Sequence, residues 1–350
     1  MISDLIRFSL KDFKPYDSFV AAGSVCLNAN ENPYSLDDGE EVMINRYPEG
    51  QPAKLLSLLA NLYKIDGREL VITSGADQAI DLLVRVFIDA GDTVITTPPT
   101  FSMYGFYTAV QGGKVCEVPL MTDDGYSINV DGIIAAQRQT GAKLVFIINP
   151  SAPLGHAQDK ERIVAVLDAL RDKAMVIVDE AYIEFSDLAS FTVLRSSYPN
   201  LAILRTLSKY YGFAGLRLGS LIAEKEVADK VRAIAPPYSL SSASIKIAER
   251  LLTDSDTLAR AAANKKRIIA MRRETEKFLS SLSYVKKVFP TVTNYIFFTV
   301  DDADALKAFC AEHNYMIRSF ASSFPGGIRL SIGSEKQMTD LFALLRTYKK

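Results

Sequence analysis

The sequence predicts an α/β fold: a large unit built on a mostly parallel sheet between two layers of helices, followed by a small α+β unit. Three observations predict it. Apolar runs with no polar alternation occur at 70–73, 93–97, 144–148, 175–178, 201–204 and 218–222, and such runs read as strands buried on both faces. Helical periodicity lies between strands, as at 76–90, where Ile80, Leu83, Val84 and Phe87 share one face and Gly91 ends the pattern. At Pro236-Pro237 the alternation stops, and a long charged amphipathic stretch begins.

In chain order, the first forty residues are loop-rich and predict no separate domain. Residues 1–40 are expected to lie over the large unit or to join the small one near the functional site. Residues 41–235 form the large unit. In it, the strand at 93–97 closes on Pro98-Pro99, 160–173 reads as an amphipathic helix, and the strand at 175–178 runs straight into Asp179. Residues 236–350 form the small unit. The stretch 242–282 reads as one or two helices; a strand at 295–300 and a helix at 303–313 follow. Short strands near 316–318 and 328–332 and a helix at 335–348 complete it.

Composition bounds the function. The chain has 350 residues, of which 48% are hydrophobic and 23% charged, enough to bury a sizeable core. A net charge of -1 supplies no global field for nucleic acid or an anionic membrane. The N-terminus has no apolar core of a secretory signal, and no apolar run is long enough to span a bilayer. Cys26, Cys116 and Cys310 stand far apart, with neither disulfide nor zinc spacing, and read as reduced thiols of a cytoplasmic protein. With only His156 and His313, no multi-histidine metal site is expected, and hard chemistry falls to a lysine or a cofactor.

Ligands of open parallel sheets bind beyond the carboxyl ends of the strands, so the polar residues there carry the argument. Thr73-Ser74-Gly75-Ala76-Asp77 joins a strand to a helix, and its small residues leave backbone N–H groups open to a phosphate. The same residues also suit a plain helix cap. Asp179-Glu180-Ala181-Tyr182 puts a carboxylate at a strand end, where it can pair with a protonated ring nitrogen, and a tyrosine that can donate to a phenolate. A capping aspartate beside a core tyrosine is the structural alternative. Thr206-Leu207-Ser208-Lys209, then Gly212, Gly215 and Arg217, supplies an amine nucleophile and a guanidinium fork for phosphate. A solvated surface lysine is the structural alternative there. Together these are the groups that pyridoxal phosphate requires.

The motifs extend along nearly the whole chain: Leu27-Asn28-Ala29-Asn30-Glu31-Asn32-Pro33, Arg46-Tyr47-Pro48-Glu49, Pro98-Pro99-Thr100-Phe101-Ser102-Met103-Tyr104, Ala214-Gly215-Leu216-Arg217, Thr293-Asn294-Tyr295 and Ile328-Arg329-Leu330-Ser331. With the lysine and Asp-Glu-Ala-Tyr motifs, the sequence resembles the fold-type I pyridoxal-phosphate-dependent aminotransferases. Within them it resembles the histidinol-phosphate aminotransferases of histidine biosynthesis.

The resemblance implies that Lys209 carries the cofactor and moves the substrate proton, that Asp179 keeps the ring nitrogen protonated, and that Tyr182 bonds the phenolic oxygen. It implies further that Ala76, Asp77, Ser208 and Arg217 surround the phosphate and that Phe101 stacks on the ring. Tyr47 reaches the phosphate from a neighbouring subunit, which makes a homodimer the implied assembly. Arg329 is implied to grip the substrate's acidic group, with Arg318 and Tyr16 as further candidates.

Two positions depart from the family pattern. Phe101 stands where tyrosine is frequent. Asn149-Pro150-Ser151-Ala152-Pro153-Leu154-Gly155 has Ala152 where an asparagine normally donates to the phenolic oxygen. Tyr182 alone, or with Ser151 or a water, is expected to serve that oxygen instead. Related activities share these motifs: an aromatic-amino-acid aminotransferase and a threonine-phosphate decarboxylase. A non-catalytic regulatory module fits less well, since the residues before the first cofactor motif contain no helix-turn-helix pattern.

Overall fold

In a computed structural model, which describes residues 2–11, 13, 25, 27–36 and 42–348, the six apolar runs fold as strands of one sheet. They are β1 (Leu70–Ser74), β2 (Thr93–Thr96), β4 (Leu144–Ile148), β5 (Met175–Asp179), β6 (Leu201–Thr206) and β7 (Leu218–Ile222). A seventh strand, β3 (Lys114–Glu117), lies at the edge and is largely exposed. The order across the sheet is β1-β7-β6-β5-β4-β2-β3. Every pairing is parallel except those of β7, which runs antiparallel to both β6 and β1. Because β7 alone is reversed, β1, β2, β4, β5 and β6 all end at one edge, and β7 begins there.

Helices α1 (Ala53–Tyr63), α2 (Gly75–Phe87), α3 (Met103–Val110), α4 (Val130–Thr140), α5 (Lys160–Ala169) and α6 (Lys225–Ile234) cover the sheet. Side chains alternate across a strand. Val145 and Ile147 of β4 therefore join one core with Leu55, Leu59, Ile163 and Val166. Leu144 and Phe146 join the other with Ile80, Leu83, Phe87 and Val227. Both faces are dry, which is why these strands read as unbroken apolar runs. The first residues lie on the second face. Ile2 and Ile6 are buried there, Arg7 N–H donates to the Val86 carbonyl (3.0 Å), and the Lys230 ammonium donates to the Leu10 carbonyl (2.9 Å).

After Pro236-Pro237 come α7 (Ser242–Thr253) and α8 (Ser255–Ser280), so the long charged stretch is two helices. Asp254 separates them and caps α8 by accepting from Asp256 N–H and Thr257 N–H. Helix α7 buries Ile245, Ala248 and Leu252 in the core that holds α1. Beyond α8, β8 (Val285–Val288), β9 (Tyr295–Val300), α9 (Ala303–Glu312), β10 (Arg318–Ser319), β11 (Gly327–Ser331) and α10 (Glu335–Leu345) build a second, antiparallel sheet in the order β10-β11-β9-β8. Its core includes Phe278, Ile296, Phe298, Leu306, Ile328 and Phe342. Among the described residues, no helix is long and apolar enough to cross a membrane.

Three bonds tie the start of β9 to the edge where β4 ends or to α8. The Tyr295 hydroxyl donates to the Ser151 carbonyl (2.7 Å), Val292 N–H donates to the Gly155 carbonyl (2.9 Å), and Arg272 donates to the Thr293 carbonyl (2.7 Å). The second sheet is thereby held against the edge at which the parallel strands end.

Candidate active site

Strand register assembles the site. Ser74 lies opposite Leu218, and Thr206 lies opposite Gly219. The turn after β1, the residues before β7 and the loop after β6 therefore meet. Gly75 takes φ +74°, and a Cβ built on it would stand 2.6 Å from Arg217 Nη2. Gly219 leaves room for the Gly75 backbone, which a Cβ there would meet at 2.3 Å. Ser74 offers α2 no side-chain cap, so first-turn N–H groups stay at the positive end of the helix. Arg217 reaches the same place, its Nη2 3.7 Å from Asp77 Oδ2. A guanidinium beside an uncapped helix start is suited to an anion.

Asp179 ends β5 and is only 5% exposed. Its Oδ1 accepts from Ala181 N–H (3.0 Å) and its Oδ2 accepts from the Tyr104 hydroxyl (2.7 Å). Burial raises its pKa; the Tyr104 bond and the Ala181 N–H pull it back down. Tyr182 follows, its pKa raised by burial. The next residues are anchored from below. Glu180, fully buried, accepts from Ser190 Oγ and Phe191 N–H (both 2.6 Å), and Arg205 pairs with Glu180 (3.2 Å) and Glu184 (2.7 Å).

After β6, Ser208 N–H donates to Thr206 Oγ1 (3.1 Å), and the Lys209 ammonium stands 5.8 Å from the centre of the Tyr182 ring. Partial burial pulls the Lys209 pKa down. The neighbouring Arg329 charge acts the same way, Asp77 and Asp179 oppose it, and Arg217 adds to it. Phe101 sets its ring edge-on to Tyr104 (5.7 Å, 84°) and is exposed. Ala152 is buried beside this edge and has no side-chain donor.

From the second sheet, the Arg329 guanidinium lies over Tyr295 (5.2 Å) and Phe320 (5.5 Å). Its charge reaches both Lys209 and Tyr182. Arg318 is directly opposite Arg329 in the β10–β11 pair, yet it is exposed, its guanidinium 5.9 Å from the centre of the Phe320 ring. The structure thus brings together Ala76, Asp77, Asp179, Tyr182, Ser208, Lys209, Arg217 and Arg329. Tyr47 lies elsewhere: exposed, stacked on Tyr238 (4.3 Å), and lining a cavity of about 410 Å³ with Arg46, Lys54, Ile245 and Glu249. This cavity does not include the Lys209 cluster. Glu31 fixes the Tyr47 backbone, accepting from Tyr47 N–H (2.6 Å) and from Arg46 (2.9 Å). Tyr16 falls outside the described residues. Tyr104, Tyr295 and Phe320 had no role assigned from sequence. Tyr104 and Tyr295 stand inside the motifs quoted above, but only the fold reveals what they touch.

A buried carboxylate, a tyrosine, a lysine of lowered pKa and an anion cradle at one sheet edge define a class of protein. Residues 24–345 match the family described as aminotransferase class I and II, and the chain belongs to that family. Its members work with pyridoxal 5′-phosphate. The histidinol-phosphate aminotransferase of Xylella fastidiosa (strain 9a5c) is 37% identical over 355 residues, covering 99% of this chain and 96% of that protein. That of Xanthomonas campestris pv. campestris is 37% identical over 343 residues, covering 96% of this chain and 94% of that protein. The crystal structure of the Sinorhizobium meliloti histidinol-phosphate aminotransferase, in complex with pyridoxal-5′-phosphate, is 26% identical. It superposes with a TM-score of 0.77 over 86% of this chain and 83% of its own.

Proposed function

We propose that this chain transfers the amino group of L-histidinol phosphate to 2-oxoglutarate, giving imidazole acetol phosphate and L-glutamate, as one step of histidine biosynthesis in the cytoplasm. The observation that carries the reading is the convergence of Asp179, Tyr182 and Lys209 with Arg329, which reaches them from the second sheet. The likeness over 99% of the chain to a histidinol-phosphate aminotransferase supports the substrate.

The residues fit pyridoxal phosphate on two observations. The space beside Gly75 that a Cβ would fill is taken by the Arg217 guanidinium, at a helix start without a side-chain cap. Asp179 is a buried carboxylate whose two oxygens each accept one bond, leaving acceptor capacity for a protonated ring nitrogen. Ala76, Asp77, Ser208 and Arg217 would hold the phosphate, Tyr182 the phenolic oxygen and Phe101 the ring face. When bound, the cofactor supplies an electron-withdrawing ring and a carrier for the amino group.

The protein's own residues do the rest. Lys209 Nζ, its pKa lowered by burial and by Arg329, takes the proton from the substrate α-carbon as a free base. Arg329 holds the substrate's acidic group, a phosphate in one half-reaction and a carboxylate in the other. The aromatic walls of Tyr295 and Phe320 keep its guanidinium aimed. Arg318 and Tyr16 are the further candidates for that pocket. We assign Tyr47 to the phosphate of a second copy, which makes the active form a homodimer. Residues 41–235 act as the cofactor-bearing unit, and 236–350 as the unit that brings Arg329.

Single-turnover mixing tests the reading. The loaded protein is mixed separately with L-histidinol phosphate, L-phenylalanine, L-glutamate and threonine phosphate while the cofactor's visible absorbance is followed. Histidinol phosphate should bleach the band far faster than phenylalanine. Equal rates would make it an aromatic or broad aminotransferase. Release of carbon dioxide from threonine phosphate would make it a decarboxylase.

A further inference from the structure

Tyr104 is fully buried in the first turn of α3, and the assignments above give it no function. Its ring lies flat on Phe146 (4.4 Å, 8°) and edge-on to Phe101 (5.7 Å). Its hydroxyl donates to Asp179 Oδ2 at 2.7 Å, while Ala181 N–H holds Oδ1 at 3.0 Å. Two donors from two different elements therefore hold the carboxylate from both sides.

We propose that Tyr104 is a positioning residue: its hydroxyl sets the rotation of the Asp179 carboxylate and holds it as an anion toward the cofactor's ring nitrogen, so that the proton between them stays on nitrogen. The inference rests on the pyridoxal-phosphate reading. Donation to a carboxylate stabilises its charged form and makes it a weaker base. Among the groups around Asp179, burial and Asp77 raise its pKa, whereas Tyr104, the Ala181 N–H and Lys209 lower it. The Tyr104 hydroxyl is itself far from ionising, because burial and the adjacent carboxylate push its pKa well up, so it stays a donor. Without that donor the carboxylate becomes the stronger base, and the shared proton moves onto Asp179, leaving the ring neutral. A tyrosine present only for packing would be replaced by phenylalanine without such a change, since the stacking on Phe146 survives.

Apoproteins of wild type, Tyr104→Phe, Asp179→Asn and the double variant are titrated with pyridoxal phosphate by equilibrium dialysis. The loaded proteins are examined by NMR with the cofactor's ring nitrogen labelled with ¹⁵N. Tyr104→Phe should weaken binding by about tenfold or more, the scale of a lost hydrogen bond to a charge. Its ¹⁵N resonance should move from the protonated toward the unprotonated position. In the Asp179→Asn background the same replacement should change affinity by less than about twofold. A ring-fluorinated tyrosine installed at 104 keeps the shape, donates more strongly, and should move the resonance the opposite way, so the test survives poor folding of Tyr104→Phe. Wild-type affinity and resonance in Tyr104→Phe, or an equal loss of affinity in both backgrounds, would overturn the proposal. A wild-type protein that does not bind the cofactor would overturn the cofactor reading and this inference together.

Discussion

The guanidinium of Arg217 occupies the space that a side chain on Gly75 would need, with Nη2 2.6 Å from where the Cβ would stand. Gly75 also takes φ +74°, a left-handed conformation that costs an ordinary residue about 1–2 kcal/mol. Gly75→Ala must therefore displace Arg217, distort the turn, or both. We expect its affinity for pyridoxal phosphate to fall about tenfold, the equivalent of about 1.4 kcal/mol. Affinity for pyridoxal, which lacks the phosphate, should change much less. Equilibrium dialysis with both compounds checks this, and an equal loss for both would remove the phosphate from the explanation.

Arg329 and Lys209 are coupled through charge. Arg329 lowers the Lys209 pKa, second only to burial. Arg329→Gln removes a positive neighbour, so the Lys209 pKa should rise toward the ordinary lysine value. Acylation needs the unprotonated amine, so the pH–rate curve for labelling Lys209 in the apoprotein should shift to higher pH. Peptide-level mass spectrometry of the labelled lysine measures it. Arg318→Gln should move the curve much less, because Arg318 is exposed and solvent screens its charge. Equal shifts in the two variants would contradict the geometry.

The parts of this molecule legible in its sequence are those buried on both sides. Strand β4 is an unbroken apolar run because Val145 and Leu144 face two different dry cores. Strand β3 is not legible: Lys114 and Glu117 are exposed at the sheet edge, and its pattern carries no burial signal. The reversed direction of β7 is equally hidden, since an apolar run has no direction until the loop before it is known. The cluster of Asp179, Tyr182, Lys209 and Arg217 was legible because residues at strand ends share one edge of a parallel sheet. The bond from Tyr104 to Asp179 was not, because it joins residues 75 apart in sequence across the sheet. The arginines at 318 and 329 look alike in sequence. The strands place them opposite one another, but Arg329 lies over Tyr295 and acts on the lysine, whereas Arg318 is exposed.

In the proposed cofactor complex, Ala152 takes the place of a donor to the phenolic oxygen. It is 6% exposed and has no side-chain donor. A hydrogen bond to a charged group contributes roughly 1.5–3 kcal/mol, or about one to two pH units in the protonation it controls. Under the same reading, Ala152→Asn would give that oxygen a donor in addition to Tyr182. The pH midpoint of the loaded protein's visible band should fall by about one unit. The apoprotein should lose stability, since an amide placed at a buried position without the cofactor lacks a partner. A spectrophotometric pH titration and a melting curve check the two halves separately. An unchanged midpoint would show that the oxygen is already fully served.

His156 gives the fold itself a pH dependence. Its Nε2 lies 2.9 Å from Gln158 Nε2 and 3.1 Å from the Tyr126 carbonyl oxygen. Burial pushes the imidazole pKa below the ordinary histidine value, and the Tyr126 carbonyl only partly opposes it. A histidine with a depressed folded pKa contributes its full stability above the unfolded value of about 6.5. Below that pH the unfolded chain takes up the proton first. Stability is then lost as the pH falls toward the folded value. His156→Gln removes the titrating group but keeps a side chain able to bond. Between about pH 7.5 and 5.5, across the ordinary histidine range, the wild-type urea midpoint should therefore fall more steeply than that of the variant. Parallel slopes would mean that the ring titrates alike in the folded and unfolded chains. The enclosure by Tyr126 and Gln158 would then have no energetic consequence for the proton.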